Sequence, residues 1–245
     1  MATGSVNNTI DEMDKPLPIW VILVIPFYVG IIFSVLLFPI AKDWGWLEAW
    51  IFIIAFAINI TVSYFIINIK NPRVLRNRMK VKKEGLTSKT KKSAGSDNFI
   101  MPVLGVGFIG ALILPAFDHR FEWSSIPFVV EMIALVLTNI GMIIMDIAML
   151  QNAYASKLLD IKKDQELMDT GLYARVRHPL YSGAGLMILA FPIALGSWWG
   201  VILAVIGFLS LVLRIKFEEE MLIKGMGGYP DYQTRVKYKL IPGIY

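Results

Sequence analysis

Two short charged runs hold the groups in this chain best suited to chemistry. The first, Arg175-Val176-Arg177-His178-Pro179-Leu180-Tyr181, sets cations and an imidazole directly before an apolar segment. The second, Arg214-Ile215-Lys216-Phe217-Glu218-Glu219-Glu220, closes the next apolar segment. On a helix, Arg214 and Glu218 share a face and Glu219 points about a quarter-turn away. That spacing is also the one of an ordinary i,i+4 salt bridge, worth a few tenths of a kcal/mol. Pro179 suits the first turn of a helix, so Arg177 and His178 fall just before its start. A helix start with a cation, an imidazole and exposed N–H groups suits a carboxylate or phosphate, and glutamates opposite suit an ammonium. Together the two runs could hold a zwitterionic ligand such as an amino-acid moiety.

The elements that must position these groups are membrane helices. The chain has 245 residues, of which 56% are hydrophobic and only 18% charged. Several apolar runs reach the ~20 residues needed to cross a hydrocarbon core, and they are continuous rather than alternating, which predicts helices and not a closed barrel. The predicted fold is all-α: a polytopic transmembrane helical bundle of four spans plus a C-terminal helical hairpin. The spans cover about residues 17–41, 47–69, 99–117 and 126–150. Pro26 and Pro39 would bend or end the first, and Trp44 and Trp46 place a headgroup belt at the link that follows. The last apolar stretch, about 181–213, is too long for one crossing and is interrupted by Gly196-Ser197-Trp198-Trp199-Gly200. It therefore reads as two short helices that return the chain to its starting side, where both flanks are basic. The hairpin brings the two charged runs together. Carrying such charges to mid-membrane would cost about 2.5–3.5 kcal/mol each, so they belong at the boundary.

Orientation follows from the 70–98 loop, where Arg73, Arg76, Arg78, Lys80, Lys82, Lys83, Lys89, Lys91 and Lys92 arrive with hardly an acid. The positive-inside rule makes this loop cytoplasmic, and with it both termini and the paired charged runs. Residues 1–15 lack a basic n-region and do not read as a cleaved signal peptide. Arg73, Arg76 and Lys80 lie at helical spacing, either as an interfacial helix touching headgroups or a substrate's polar end, or as an orientation signal alone. The net charge of +5 sits in loops beside apolar spans, which points to anionic lipid and away from nucleic acid as a partner. There is no cysteine and only two histidines, which leaves no disulfide, no thiolate and no multi-histidine metal site within the chain. Gly105, Gly107 and Gly110 predict close helix packing, since no βαβ unit surrounds the Gly-x-Gly. His119 reads as a solvated loop residue. Asn139 and Asp146 lie in the fourth span, where Asp146 would pair with a following cation or reach headgroup water. Residues 1–150 thus form a scaffold, and 151–245 carry the site.

The run GLYARVRHPLYSG, with RIKFEEEML and the tail YPDYQTRVKYKLIPGIY, resembles the isoprenylcysteine carboxyl methyltransferase family, which is related to membrane phospholipid methyltransferases. The resemblance covers about the last third of the chain. Its motif, Gly-x-Tyr-x-x-x-Arg-His-Pro-x-Tyr-x-Gly with a downstream Arg-x-x-x-Glu-Glu, is specific in combination. It implies an enzyme that moves a methyl group from S-adenosylmethionine to a lipid-borne acceptor, leaving S-adenosylhomocysteine. By motif position it implies a cytoplasmic cofactor pocket of Gln165, Glu166, Leu167, Met168, Tyr173, His178, Pro179, Leu180, Tyr181, Glu218 and Glu219. Arg214 and Arg177 would face the acceptor, with Arg214 and Glu218 at the reaction itself. The cofactor would come from the cytoplasm, and the lipid or lipidated substrate from the bilayer. A prenylated-cysteine carboxylate is the leading acceptor, because Arg214 would repel a cationic headgroup. A phospholipid amine is the alternative, and a membrane sterol reductase using NADPH is a third reading of the same motif. Transfer from a sulfonium needs no metal and no cysteine, which fits the composition; it needs positioned reactants and excluded water.

Overall fold

The computed structural model describes residues 15–76, 94–152 and 167–245 (side chains of 94–98 excepted), and these are helices and connections without a strand. The helices are α1 Ile19–Ala41, α2 Leu47–Lys70, α3 Ala94–Phe121, α4 Phe128–Gln151, α5 Pro179–Ala194, α6 Trp198–Gly225 and the short α7 Tyr229–Arg235. A 3-10 turn, Gly171–Ala174, precedes α5. Among the described residues, five helices are long and apolar enough to cross a membrane, which makes this a multi-pass membrane protein; α5, at 16 residues, is shorter.

The six long helices close into a ring in the order α1, α2, α4, α5, α6, α3, and α5 also reaches α3. Lipid-side residues such as Phe27, Val62, Val136 and Leu209 stay exposed, as an apolar solvent allows. With lipid outside, little hydrophobic force drives the helices together, so close backbone approach must supply the attraction. Two crossings supply it. At α4–α5, a Cβ on Gly141 would lie 2.6 Å from the Gly183 carbonyl oxygen and 2.7 Å from the Met187 nitrogen. At α3–α6, a Cβ on Gly107 would lie 2.6 Å from Gly207 Cα. Gly110 likewise fits against Leu203, whereas Gly105 faces open space and takes no part in the expected packing. One apolar cluster then runs through the ring, from Phe33 and Leu37 on α1 to Phe191 on α5 and Ile215 on α6.

The hairpin forms as expected but with unequal arms. Pro179 stands at the start of α5, and Ser197 caps α6 by accepting from the Gly200 amide at 2.9 Å. Gly196 turns the chain between them at φ 77, a conformation costly for a residue with a Cβ. α5 is about 24 Å long. α6 is not short: it continues without a break for 28 residues, about 42 Å, and so overshoots a hydrocarbon core of roughly 30 Å. Its apolar half lies alongside α5, and its later turns bring Glu218 and Glu219 to the start of α5, where Tyr181 and His178 stand.

One other expectation changes. α3 continues through Phe121, so His119 sits in its last turn rather than in a solvated loop. There it meets Asp43 at 3.0 Å and stacks on Trp46 at 4.4 Å. Its neighbour Asp118 is buried and accepts from the Ser124 amide and hydroxyl and from Ser197, which ties the two far links together. Asp146 turns toward α2 and accepts from Ser63, while Asn59 donates to Asn139 Oδ1 at 3.0 Å. These polar pairs glue α2 to α4. The basic residues from Arg78 to Lys92, and Gln165 and Glu166, lie outside the described residues. Arg73 and Arg76 fall on a helical segment at 72–76, where Arg76 donates to the Lys15 carbonyl at 2.7 Å.

Candidate functional site

The site begins with the fold-back of the hairpin. Because α5 and α6 return to one end of the ring, Arg177, just before α5, reaches Glu219 on α6. Arg177 Nε donates to Glu219 Oε1 at 2.6 Å, and His178 Nε2 lies 3.2 Å from the same oxygen. Lys239, from the C-terminal tail, meets the other oxygen, Oε2, at 3.1 Å. Glu219 is therefore saturated: three basic side chains converge on a carboxylate with almost no access to water. Buried charges are tolerated when paired and hydrogen-bonded, and here the one carboxylate is shared by two cations while Arg177 is also met by backbone carbonyls.

The tail completes this frame. Arg177 Nη1 donates to the Val236 and Lys237 carbonyls at 2.6 and 2.9 Å. The backbone amides of Arg177 and His178 donate to the Tyr238 and Lys239 carbonyls, each at 2.9 Å. Ser182 Oγ donates to the Leu240 carbonyl at 2.6 Å. The segment 236–240 is thus laced to the start of α5 by its backbone, where no side-chain signal in the sequence could announce it.

Glu218, one residue before Glu219, is held differently. Tyr181 donates its hydroxyl to Glu218 Oε2 at 2.6 Å, and the Tyr181 ring lies over His178 with centroids 5.7 Å apart. Among the described residues Glu218 has no other hydrogen-bond partner, which leaves its second oxygen uncommitted. Arg214 lies one turn back on the same helix, only 5% exposed, with Nη1 3.6 Å from the Met101 sulfur on α3. The motif residues His178, Pro179, Tyr181, Glu218 and Glu219 are thus brought to one end of the molecule, with Arg214 a turn deeper. Leu180 packs below them between two apolar clusters.

A second layer is made by tyrosines. Tyr173, in the 3-10 turn, is buried against the end of α4, its hydroxyl 3.4 Å from the Ala148 carbonyl. Tyr232 on α7 donates to the Tyr173 carbonyl at 2.7 Å. Tyr229 opens α7 after Gly228, which turns at φ 79, and packs with Tyr232, Met226, Val236, Leu222 and Leu167. Burial pushes the Tyr173 phenol up to about 12, and it also pushes Tyr232 and Tyr229 up from their ordinary values, Glu219 adding to the effect at Tyr229. All three are neutral hydrogen-bond donors at physiological pH. Tyr229 is buried with no partner for its hydroxyl among the described residues. Met168 meets the Thr170 hydroxyl at 3.4 Å, beside this layer in the chain.

Sequence reasoning missed Lys239, Ser182, Tyr229 and Tyr232. The tyrosines at i and i+3 were a signal for one face of a short helix. Lys239 carried none, since its partner Glu219 lies twenty positions earlier on another element.

Similarity points the same way. A family model described as phospholipid methyltransferase matches residues 129–227. That stretch starts one residue into α4 and ends just beyond α6, so it takes in Arg177, His178, Tyr181, Arg214, Glu218 and Glu219 but neither α1–α3 nor most of the tail. No curated protein matches the chain. The match supports a membrane methyltransferase.

Proposed function

We propose that the chain is an S-adenosylmethionine-dependent methyltransferase acting on the carboxylate of a lipid-borne, prenylated-cysteine-like acceptor. The observation that carries the acceptor class is Arg214, a buried guanidinium on the same helix face as Glu218 and one turn nearer the bilayer. A cation in that position favours an anion reaching in from the lipid and opposes an ammonium.

The residues present suit such a cofactor. Glu218 has an uncommitted oxygen for the ammonium of an amino-acid moiety, and Tyr181 fixes the carboxylate's orientation at 2.6 Å. His178 and Tyr181 present stacked rings at the same place. Leu167, Met168, Tyr173, Pro179 and Leu180 line or support this end, and Gln165 and Glu166 join them in the reading from the motif. Bound there, S-adenosylmethionine would supply an electrophilic methyl group on a sulfonium. The protein's share of the work is then positioning. Arg214 holds the acceptor carboxylate, already ionised near neutral pH, and so needs no general base beside it. Arg177 and Glu219 act through the frame, since their donors and acceptors are taken up by each other, by Lys239 and by the tail. Arg76 at the described start of the basic loop, Lys15 at the start of the described chain, and Leu180 and Leu240 beside the site lie at one end of the ring, and we read that end as cytoplasmic by the positive-inside rule.

A phospholipid amine is the second reading, favoured by the description of the matching family. Purified protein supplied with labelled S-adenosylmethionine and either a farnesylcysteine analogue or phosphatidylethanolamine vesicles separates the two. Methyl transfer to the farnesylcysteine carboxylate is expected, and Arg214→Ala should lower it by at least about 100-fold, with cofactor affinity within about twofold of wild type. Transfer to the amine alone overturns the carboxylate reading. Binding of NADPH in place of S-adenosylmethionine overturns methyl transfer altogether.

A further inference from the structure

Three tyrosine hydroxyls are buried beneath the charged frame, and two of them are satisfied. Tyr232 donates to the Tyr173 carbonyl at 2.7 Å, and Tyr173 lies 3.4 Å from the Ala148 carbonyl. The third, Tyr229, is 3% exposed, yet its hydroxyl meets no acceptor among the described residues. A buried hydroxyl left without a partner costs about 1–3 kcal/mol, and interiors seldom tolerate that without a reason. Packing alone would be served as well by phenylalanine.

The place of Tyr229 supplies a reason. It belongs to a small apolar cluster with Met226, Tyr232 and Val236, against which pack Leu222, one turn beyond Glu218 on α6, and Leu167 from the stretch that the motif assigns to the cofactor. Its hydroxyl lies within electrostatic reach of Glu219, Arg177 and Glu218. Arg177 and Glu219 are committed to one another and to the tail, so a neutral donor beside them has no acceptor left within the frame. We propose that the Tyr229 hydroxyl contacts the methyl donor directly, donating a hydrogen bond to one of its oxygens. This rests on the methyltransferase reading and adds to it a binding residue from the tail, beyond the stretch that the family model matches.

Two oxygen sources exist on the ligand, the amino-acid carboxylate and the ribose. The test is Tyr229→Phe in the full chain in detergent, read by calorimetric binding and by thermal unfolding. The probes are S-adenosylhomocysteine and 5′-methylthioadenosine, which keeps the nucleoside but lacks the amino-acid part. The variant should unfold at the same temperature as wild type or slightly higher without ligand, because an unmet polar group has been removed. Its affinity for S-adenosylhomocysteine should fall about 3–10-fold. An equal fall for methylthioadenosine supports the proposal with the ribose as acceptor; no fall there supports it with the carboxylate. Unchanged affinity for S-adenosylhomocysteine overturns the proposal and leaves the methyltransferase reading standing. A lowered unfolding temperature without ligand also overturns it, since the hydroxyl then has a structural partner. Failure of the wild-type protein to bind S-adenosylhomocysteine removes the methyltransferase reading and this proposal together.

Discussion

Glu218 and Glu219 are adjacent in sequence and opposite in circumstance. Glu219 pairs its single negative charge with both Arg177 and Lys239 and lies 3.2 Å from His178. Removing its charge leaves a buried guanidinium and an ammonium facing each other across an amide, and breaking a buried pair in this way costs about 3–5 kcal/mol. Glu219→Gln should therefore lower the unfolding temperature sharply, with or without ligand. Glu218 has one tyrosine partner, so Glu218→Gln should change stability by less than about 1 kcal/mol and abolish measurable S-adenosylhomocysteine binding. Thermal unfolding and binding measured on the same two preparations decide it. If the losses came out interchanged, the division between frame and ligand group would be wrong. The adjacent glutamates were visible in the sequence, but their division of labour was not. A quarter-turn of helix points one at the tail and the other at Tyr181, and the tail's position is a tertiary fact.

At the scale of elements, the distance between helices is set by hydrogen atoms where side chains would otherwise stand. Gly141 and Gly183 bring α4 and α5 so close that a methyl group on either would press on the other helix's backbone, which cannot move aside as a side chain can. Gly141→Ala should cost about 1–3 kcal/mol through overpacking and should loosen the start of α5, where Arg177 and His178 are held. Gly105→Ala is the internal control: it is helical, faces open space, and should be neutral or stabilising by up to about 1 kcal/mol. Unfolding temperatures in one detergent compare them. Equal behaviour of the two variants would show that close approach is not what holds α4 to α5. The sequence marked glycines on the third span as packing residues, correctly for Gly107 and Gly110 and not for Gly105. Composition cannot say which side of a helix meets a partner when lipid and protein are equally apolar.

For the whole molecule, the tail's attachment should be sensitive to alkaline pH. Tyr173 is pushed up to about 12 by burial, from an ordinary value near 10, and Tyr232 and Tyr229 are raised in the same direction. A group whose value is raised by folding contributes stability that is whole below its unfolded value and is lost as pH climbs through the folded one. The docking of 229–240 onto the site should therefore be intact below pH 10 and fail between about pH 10 and 12. Tyrosinate absorbance should show a fraction of the tyrosines ionising late and together, along with the loss of ligand binding. Ionisation of every tyrosine near pH 10 with the fold retained would contradict the burial of this cluster.

The approximate number and placement of the spans and the return of the hairpin were legible in the sequence alone, although not the full length of α6 or the end of α3. Those features follow from the free energy of moving residues between water and lipid, which depends on local composition and can be summed along the chain. The saturation of Glu219 by Arg177, His178 and Lys239, the lacing of 236–240 along the start of α5, and the unmet hydroxyl of Tyr229 were decided only in three dimensions. Each is a question of which polar group finds which partner across elements distant in sequence. Local composition has no access to that, because one buried hydrogen bond is settled by a few ångströms of packing.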